Sequence, residues 1–488
     1  MCTFAWRIED CGRIYFARGF LSSINAQTQK RMKNGIKMSV AAVVAIVAAA
    51  VSAEAAALSG AWRGELALGE MKIPLVLNFD ENGKGETFCT MDSPSQGAKG
   101  IPVTVEVCTA DSLALDCRAI GAKFSGHILK GEIAGKFTQH GFTFPLNLKP
   151  DAPLAERRPQ TPMPPFPYAV KDTVFMAPDG AVMSGTLTMP AHARGGKIPG
   201  VVMISGSGPQ NRDEEMADHK PFAVIADFLA RNGVASFRYD DRGTGQSEGD
   251  FLKATTYTFK DDARSGVEFM RGIPGIGATG VIGHSEGGTI AFMLGAEGVP
   301  DFIISLAGMA VRGKEALMAQ NSRQLDRSGI AGQDKENSLA LISRLFDEMA
   351  AQRAAGPDAV GPINPDSIAR TSGIIVPESV MASLRATQKL RTPWFDTLLA
   401  IDAGESIART KCPVLAINGD KDTQVEAAPN LKVIGERCPG AEVRLMPSLN
   451  HMMQHALTGD ISGYDEIRET ISPEVLELML DFIRRHSR

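Results

Sequence analysis

Five residues, Gly283-His284-Ser285-Glu286-Gly287, most constrain what this chain can become. They follow the apolar pair Val281-Ile282 and precede a helix-compatible stretch from Gly288 to Leu294. A G-x-S-x-G pentapeptide between a strand and a helix reverses the chain within a residue or two and strains the serine backbone. The flanking glycines let strand and helix approach without a Cβ clash. The serine Oγ then stands above the carboxyl edge of a sheet, beside the amides that open the next helix. In a chain with 49 glycines the pentapeptide alone carries little weight, so its meaning depends on what surrounds it.

From residue 169 onward, apolar runs alternate with helix-compatible stretches. Asp172 to Met176 and Val182 to Met189 read as a hairpin, and Pro199 to Ile204 as a strand buried on both faces. A helix at Pro221 to Arg231, a strand at Val234 to Tyr239 and a helix near Thr258 to Met270 lead to the elbow. Beyond it come a strand at Phe302 to Leu306, then Val414 to Asn418, a helix near Glu426 to Glu436, Glu442 to Met446 and a last helix, Pro473 to Arg485. This rhythm predicts a mostly parallel sheet with helices on both faces. An insertion at about 310–410 breaks it. Its helical periodicity (Leu339, Leu341, Ile342, Leu345, Phe346, Met349) predicts a helical cap beside the carboxyl edge, most of whose apolar residues pack on one another.

The length of 488 residues predicts more than one domain. Residues 56–150 read as short strands separated by turns such as Glu81-Asn82-Gly83, with Lys123 to His127 and Lys136 to His140 as consecutive hairpin arms. This predicts a small antiparallel β domain, with His127 and His140 as surface strand residues. Residues 151–168, rich in proline, read as a semi-rigid linker. At the start, Lys30, Arg31, Lys33 and Lys37 precede an apolar stretch from Val40 to Val51, with small-residue cleavage sites after Ala53 or Ala55. That is the pattern of a secretory signal peptide following an over-extended N-terminus, with Met32 or Met38 as more ordinary starts. Residues 1–55 are therefore expected to be removed on export, to the periplasm or beyond. Loss of Met1 to Ala53 removes seven basic and two acidic residues and moves the net charge from −5 to −10. Acidic character argues against nucleic acid as a partner, and no apolar run of membrane-spanning length occurs. The five remaining cysteines would meet an oxidising compartment, where Cys412 with Cys438 is the expected disulfide and Cys108 with Cys117 a weaker pairing.

A serine hydroxyl needs a base, and the base needs a third group to fix its tautomer. Past Ser285, one strand ends in Gly419-Asp420-Lys421-Asp422-Thr423 and the next in Ser448-Leu449-Asn450-His451. Acid and histidine thus leave the same sheet edge as the elbow. His451 directly follows its strand, whereas His455 falls on an exposed turn and His486 at the chain end. Asp422 lies deeper in its loop than Asp420, which reads as a turn residue. For an oxyanion, the backbone N–H of Glu286 and that of Ser207, in Ser205-Gly206-Ser207-Gly208-Pro209, are the expected donors. Arg238 to Ser247 reads as a turn held by paired Asp and Arg.

The segments Gly206 to Asp213, Arg238 to Ser247, Gly283 to Gly287, Gly419 to Val425 and Asn450 to Gln454 together resemble the α/β-hydrolase superfamily. More narrowly they resemble bacterial esterase D-like carboxylesterases, also described as serine aminopeptidase-like or dienelactone hydrolase-like. Similar proteins carry an N-terminal β domain opening Gly-x-Trp-x-Gly, here Gly60-Ala61-Trp62-Arg63-Gly64. The resemblance implies cleavage of small carboxylic esters through an acyl-enzyme, without cofactor or metal. Ser205-Gly206-Ser207 stands where many relatives have His-Gly, which keeps a backbone donor but leaves its position open. Two other readings are a peptidase of the same fold, with Asp347 or Glu348 holding a substrate amine, and an envelope- or glycan-binding protein with accessory esterase activity.

Overall fold

The computed structural model describes residues 58–68, 71–81, 87–94, 98–152, 154–191, 196–356, 359–388 and 391–487. The segment read as a signal peptide lies outside these residues, as do Asn82 and Gly83 of the predicted turn. Two compact units divide the chain after Asp151.

The first unit is a closed antiparallel barrel of eight strands. They are β1 (Gly60–Leu68), β2 (Met71–Glu81), β3 (Thr87–Ser93), β4 (Ala98–Cys108), β5 (Ser112–Cys117), β6 (Ala122–Leu129), β7 (Glu132–Gln139) and β8 (Phe142–Pro150). Each strand pairs with the next, and β8 closes on β1 through Trp62 opposite Pro150. The predicted arms are β6 and β7, paired with Phe124 opposite Phe137. Alternation sends Leu75, Leu77 and Phe79, Cys89 and Met91, and Leu146 and Leu148 inward, so side chains fill the lumen. His127 is an exposed strand residue, but His140 sits on the β7–β8 turn at φ 48° rather than in a strand. Two-residue turns ending in glycine, Lys130-Gly131 and His140-Gly141, all at positive φ, match the twist of their hairpins.

The second unit holds an eight-stranded sheet of order β16-β15-β14-β13-β11-β12-β10-β9. Its strands are β9 (Ala169–Met176), β10 (Val182–Met189), β11 (Ile198–Ile204), β12 (Ala235–Tyr239), β13 (Ile276–His284), β14 (Ile303–Leu306), β15 (Val414–Gly419) and β16 (Glu442–Met446). β10 joins β9 and β12 antiparallel, and the remaining neighbours are parallel. The continuous apolar runs arise because both faces are covered. Val202, Val281, Ile303 and Val414 enter one core, while Val201, Ile282, Ile304 and Leu415 enter the other. On one face lie α1 (Pro221–Arg231) and the last helix, α11 (Pro473–His486). On the other lie α2 (Thr256–Arg271) and α3 (Glu286–Ala296). Each fully buried Val or Ile contributes about 1.5–3 kcal/mol, which makes the sheet the rigid platform of the site.

Between β14 and β15 the described residues of the insertion form six helices: α4 (Gly313–Arg327), α5 (Gly332–Ala355), α6 (Pro365–Ser372), α7 (Glu378–Gln388), α8 (Pro393–Ala400) and α9 (Ala403–Arg409). Leu341, Ile342, Leu345, Phe346 and Met349 are buried in a common core, with Phe346 5.9 Å from Phe395 between ring centroids. Helix α10 (Ala427–Arg437) joins β15 to β16. The α/β-hydrolase fold, its helical cap and the small antiparallel domain all match the sequence reading. No described helix is long and apolar enough to cross a membrane.

The cysteine pairings do not form, and Cys89, Cys108, Cys117, Cys412 and Cys438 are all free. Cys108 lies opposite Leu113, whereas the register brings Cys117 opposite the neighbourhood of Val103. Five residues of strand, roughly 16 Å, therefore separate the two, far beyond disulfide reach. Burial pushes the Cys412 thiol up to about 11 and raises that of Cys438, so neither is a ready thiolate. The proline-rich segment is not a free tether along its whole length. Arg158, buried, donates to the carbonyls of Ala217, Asp465 and Ile467, and Gln160 holds the amides of Thr470 and Ile471.

Candidate active site

β13 delivers His284 and Ser285 to the carboxyl edge of the sheet, and α3 departs at Glu286. Ser285 takes φ 54° and ψ −119°, a region that non-glycine residues avoid. The glycines on either side are required by contact. A Cβ on Gly283 would stand 2.1 Å from the Gly287 carbonyl oxygen, and one on Gly287 2.1 Å from that of Ile204. The strain at Ser285 is held by the strand ladder on one side, by α3 on the other, and by the Ser285 amide donating to the Leu306 carbonyl at 2.9 Å.

The acid loop after β15 and the histidine loop after β16 meet beside this elbow. His451 Nδ1 lies 2.7 Å from Asp422 Oδ2, with both residues buried. The other carboxylate oxygen of Asp422 accepts the amides of Gln424 and Val425, each at 2.8 Å. With one oxygen taken by the two amides, the other is left to accept from His451, which orients the imidazole with Nδ1 as its donor. Asp420 is exposed and caps the Ser448 amide at 2.7 Å, as a turn residue does. His455 is exposed against Glu469, and His486 lies near Glu442. His451 is tied to the elbow itself, since its carbonyl oxygen lies 2.9 Å from His284 Nε2.

The loop after β11 passes directly over the serine. A Cβ on Gly206 would sit 3.1 Å from Ser285 Cβ. The Gly206 amide is engaged by Glu214 Oε1 at 2.6 Å, so Ser207 offers the next amide along the loop. Buried Asp241 supports the loop from beneath by accepting the Ser205 hydroxyl at 2.6 Å and the Gln210 amide at 2.9 Å. Burial pushes the Asp241 carboxyl well above the usual range. The predicted Asp–Arg turn is held by ion pairs, but with partners from elsewhere. Arg212 grips Asp240 at 2.7 Å, while Arg242 binds Asp262 and Asp179, each at 2.6 Å.

The Glu286 side chain has a role that the sequence does not announce. Its buried carboxylate accepts from Ser207 Oγ at 2.6 Å, Thr256 Oγ1 at 2.6 Å and Trp394 Nε1 at 2.9 Å. It therefore joins the loop after β11, the start of α2 and cap helix α8 at one point. Burial raises its pKa against the lowering effect of those donors. Glu214, Thr256 and Trp394 escape sequence reasoning because each lies on a different element, at no fixed spacing from the elbow.

The serine aminopeptidase S33 family profile matches residues 217–457. Esterase EstD of Thermotoga maritima is 27% identical over 167 residues, covering 33% of this chain and 39% of that protein. The matched region thus spans about two fifths of that relative. Among solved structures, an esterase of Pyrococcus furiosus aligns with 66% of this chain and 92% of its own at 16% identity and a TM-score of 0.39. Est1E from Butyrivibrio proteoclasticus, solved with ferulic acid, aligns with 64% of this chain and 97% of its own at 15% identity and a TM-score of 0.37. The sheet and its elbow have the α/β-hydrolase fold, and residues 217–457 are similar to the serine aminopeptidase S33 family.

Proposed function

We propose that this protein is a serine carboxylesterase working through an acyl-enzyme, with Ser285 as nucleophile, His451 as base and Asp422 as the orienting acid. The Asp422–His451 contact at 2.7 Å, anchored beside the strained elbow serine, carries this reading. His451 Nε2 takes the Ser285 proton as Oγ attacks the ester carbonyl, and Asp422 stabilises the imidazolium that forms. The amides of Ser207 and Glu286 receive the developing oxyanion, assisted by the N-terminus of α3. Loss of one such donor costs about 10²–10³ in rate in comparable sites. His451 then returns the proton to the leaving alcohol, and water repeats the sequence to release the acid.

Esters are favoured over peptides because an aminopeptidase needs a free carboxylate for the substrate amine. Asp347 and Glu348, the sequence candidates, are both exposed, and Asp347 is bound by Lys314 at 2.5 Å. The name of the similar EstD supports the same choice. Expected results are loss of p-nitrophenyl acetate turnover by several orders of magnitude in Ser285→Ala, and fluorophosphonate labelling mapped to Ser285. Turnover retained by Ser285→Ala overturns the assignment, and cleavage of aminoacyl amides without esters replaces it with the peptidase. The basic and apolar stretches of residues 30–51 support export to the periplasm or beyond. An exported protein has a mature N-terminus at Glu54 or Ala56, readable by N-terminal sequencing; an intact leader in the soluble cytoplasmic fraction overturns export.

A further inference from the structure

His284 precedes the nucleophile, yet its ring turns inward and both nitrogens are engaged. Nε2 lies 2.9 Å from the carbonyl oxygen of His451, and Nδ1 2.8 Å from Glu214 Oε1. A carbonyl oxygen only accepts, so Nε2 carries a proton. A neutral ring would then aim the lone pair of Nδ1 at a carboxylate oxygen, so a second proton must lie between His284 and Glu214. Glu214 Oε1 already receives the Gly206 amide at 2.6 Å, which leaves it little room for a proton of its own. The geometry is that of an imidazolium on a carboxylate, a charge-assisted contact in a buried setting.

Three parts of the site meet at this pair. Gly206 belongs to the loop that crosses Ser285, His284 to the elbow, and the His451 carbonyl to the loop of the base. We propose that the protonated His284–Glu214 pair is a positioning device that holds the oxyanion loop and the histidine loop in register, and that loss of its proton sets the alkaline limit of catalysis. The inference rests on the roles given above to Ser285 and His451. It goes beyond them by assigning work to two residues that touch no substrate.

The surroundings fit this assignment. Burial by itself lowers the pKa of His284, but the Glu214 carboxylate, the His451 carbonyl and Asp422 more than offset it and hold the group above its ordinary value. The His451 ring, 4.7 Å away between centroids, packs against the same imidazole. At pH above that raised value, two lone pairs face each other across 2.8 Å, and the clamp on Gly206 and His451 opens. Below it the clamp is closed.

The test is the pH dependence of kcat and KM for a soluble ester, from neutral to alkaline pH, on full-length wild type, Ser285→Ala, Glu214→Gln and His284→Gln. Glu214→Gln is expected to lower kcat at least tenfold with a smaller change in KM, and to move the alkaline limb by a pH unit or more toward neutrality. His284→Gln is expected to lower kcat and abolish that limb. Both variants keeping the wild-type limb overturns the inference. If this occurs while Ser285→Ala is inactive, the esterase reading stands; turnover surviving in Ser285→Ala instead overturns that reading. Should His284→Gln fail to fold, neutron diffraction of wild-type crystals decides. Deuterium on both ring nitrogens of His284 at neutral pH supports the clamp, and deuterium on one overturns it.

Discussion

Trp394, on cap helix α8, donates its indole N–H to the carboxylate of Glu286, the residue after the nucleophile, at 2.9 Å. The same carboxylate receives Ser207 Oγ at 2.6 Å, so the cap and the oxyanion loop share one acceptor. Movement of α8 is thereby transmitted to the loop that would bind the oxyanion. A hydrogen bond to a charged group contributes about 1.5–3 kcal/mol. Trp394→Phe keeps the ring in place but removes the donor. Steady-state kinetics on an acyl-chain series should show kcat/KM reduced roughly tenfold and chain-length preference broadened. An unchanged profile would mean that the contact is packing alone.

Asp422 and Asp420 stand two residues apart and should respond very differently to the same change. Asp422→Asn places an amide where His451 Nδ1–H needs an acceptor, and should lower kcat by about 10³–10⁴ by comparison with other triads. Asp420→Asn, at an exposed turn, should stay within a few-fold of wild type. Equal losses in both variants would refute the assignment of the acid.

Gly287→Ala tests the elbow as architecture. Its methyl would meet the Ile204 carbonyl oxygen at 2.1 Å, a backbone atom held in the sheet. Overpacking against a rigid neighbour costs about 1–3 kcal/mol or more. Expected outcomes are a lower melting temperature and loss of fluorophosphonate labelling, both read on the same purified protein. A fully active, equally stable variant would show that the strand and helix can separate without cost.

His219 supplies a contrast to His284. Its Nε2 lies 3.1 Å from the Tyr464 carbonyl oxygen, which only accepts, and its Nδ1 lies 2.9 Å from Thr470 Oγ1, a hydroxyl able to donate to a neutral ring. Burial, reinforced by Arg158, lowers its pKa to about 4. The unfolded chain, with an ordinary histidine near 6.5, therefore binds more protons than the folded chain between these values. Stability is full above about 6.5 and falls as pH drops toward about 4, by up to roughly 3 kcal/mol. Denaturant melts of wild type and His219→Gln across that range should converge at low pH. Parallel curves would exclude His219 as the source.

Much of this arrangement was legible in the chain because it depends on local order. Val201 to Ile204 and Val414 to Ile417 read as strands since both faces of a parallel sheet are buried. Ser285, Asp422 and His451 could be singled out as candidates from their places at or just beyond strand ends, for parallel strands bring all their carboxyl ends to one edge. The helical periodicity around Leu341 to Met349 announced the cap. Cysteine pairing was misjudged for the opposite reason: a shared edge sets proximity, whereas a disulfide needs a particular separation and orientation of two Cβ atoms.

What the sequence determined by itself is therefore the order of the elements, the elbow and the set of residues at the sheet edge. Closure of the eight strands into a barrel depends on β1 meeting β8, a contact between segments about ninety residues apart that no local pattern records. The partners of Glu286 come from three elements, and the Glu214–His284 pair joins residues seventy positions apart. Only the tertiary structure could decide these, because a buried carboxylate takes whichever donors packing brings within 3 Å. Local sequence cannot state which donors those are.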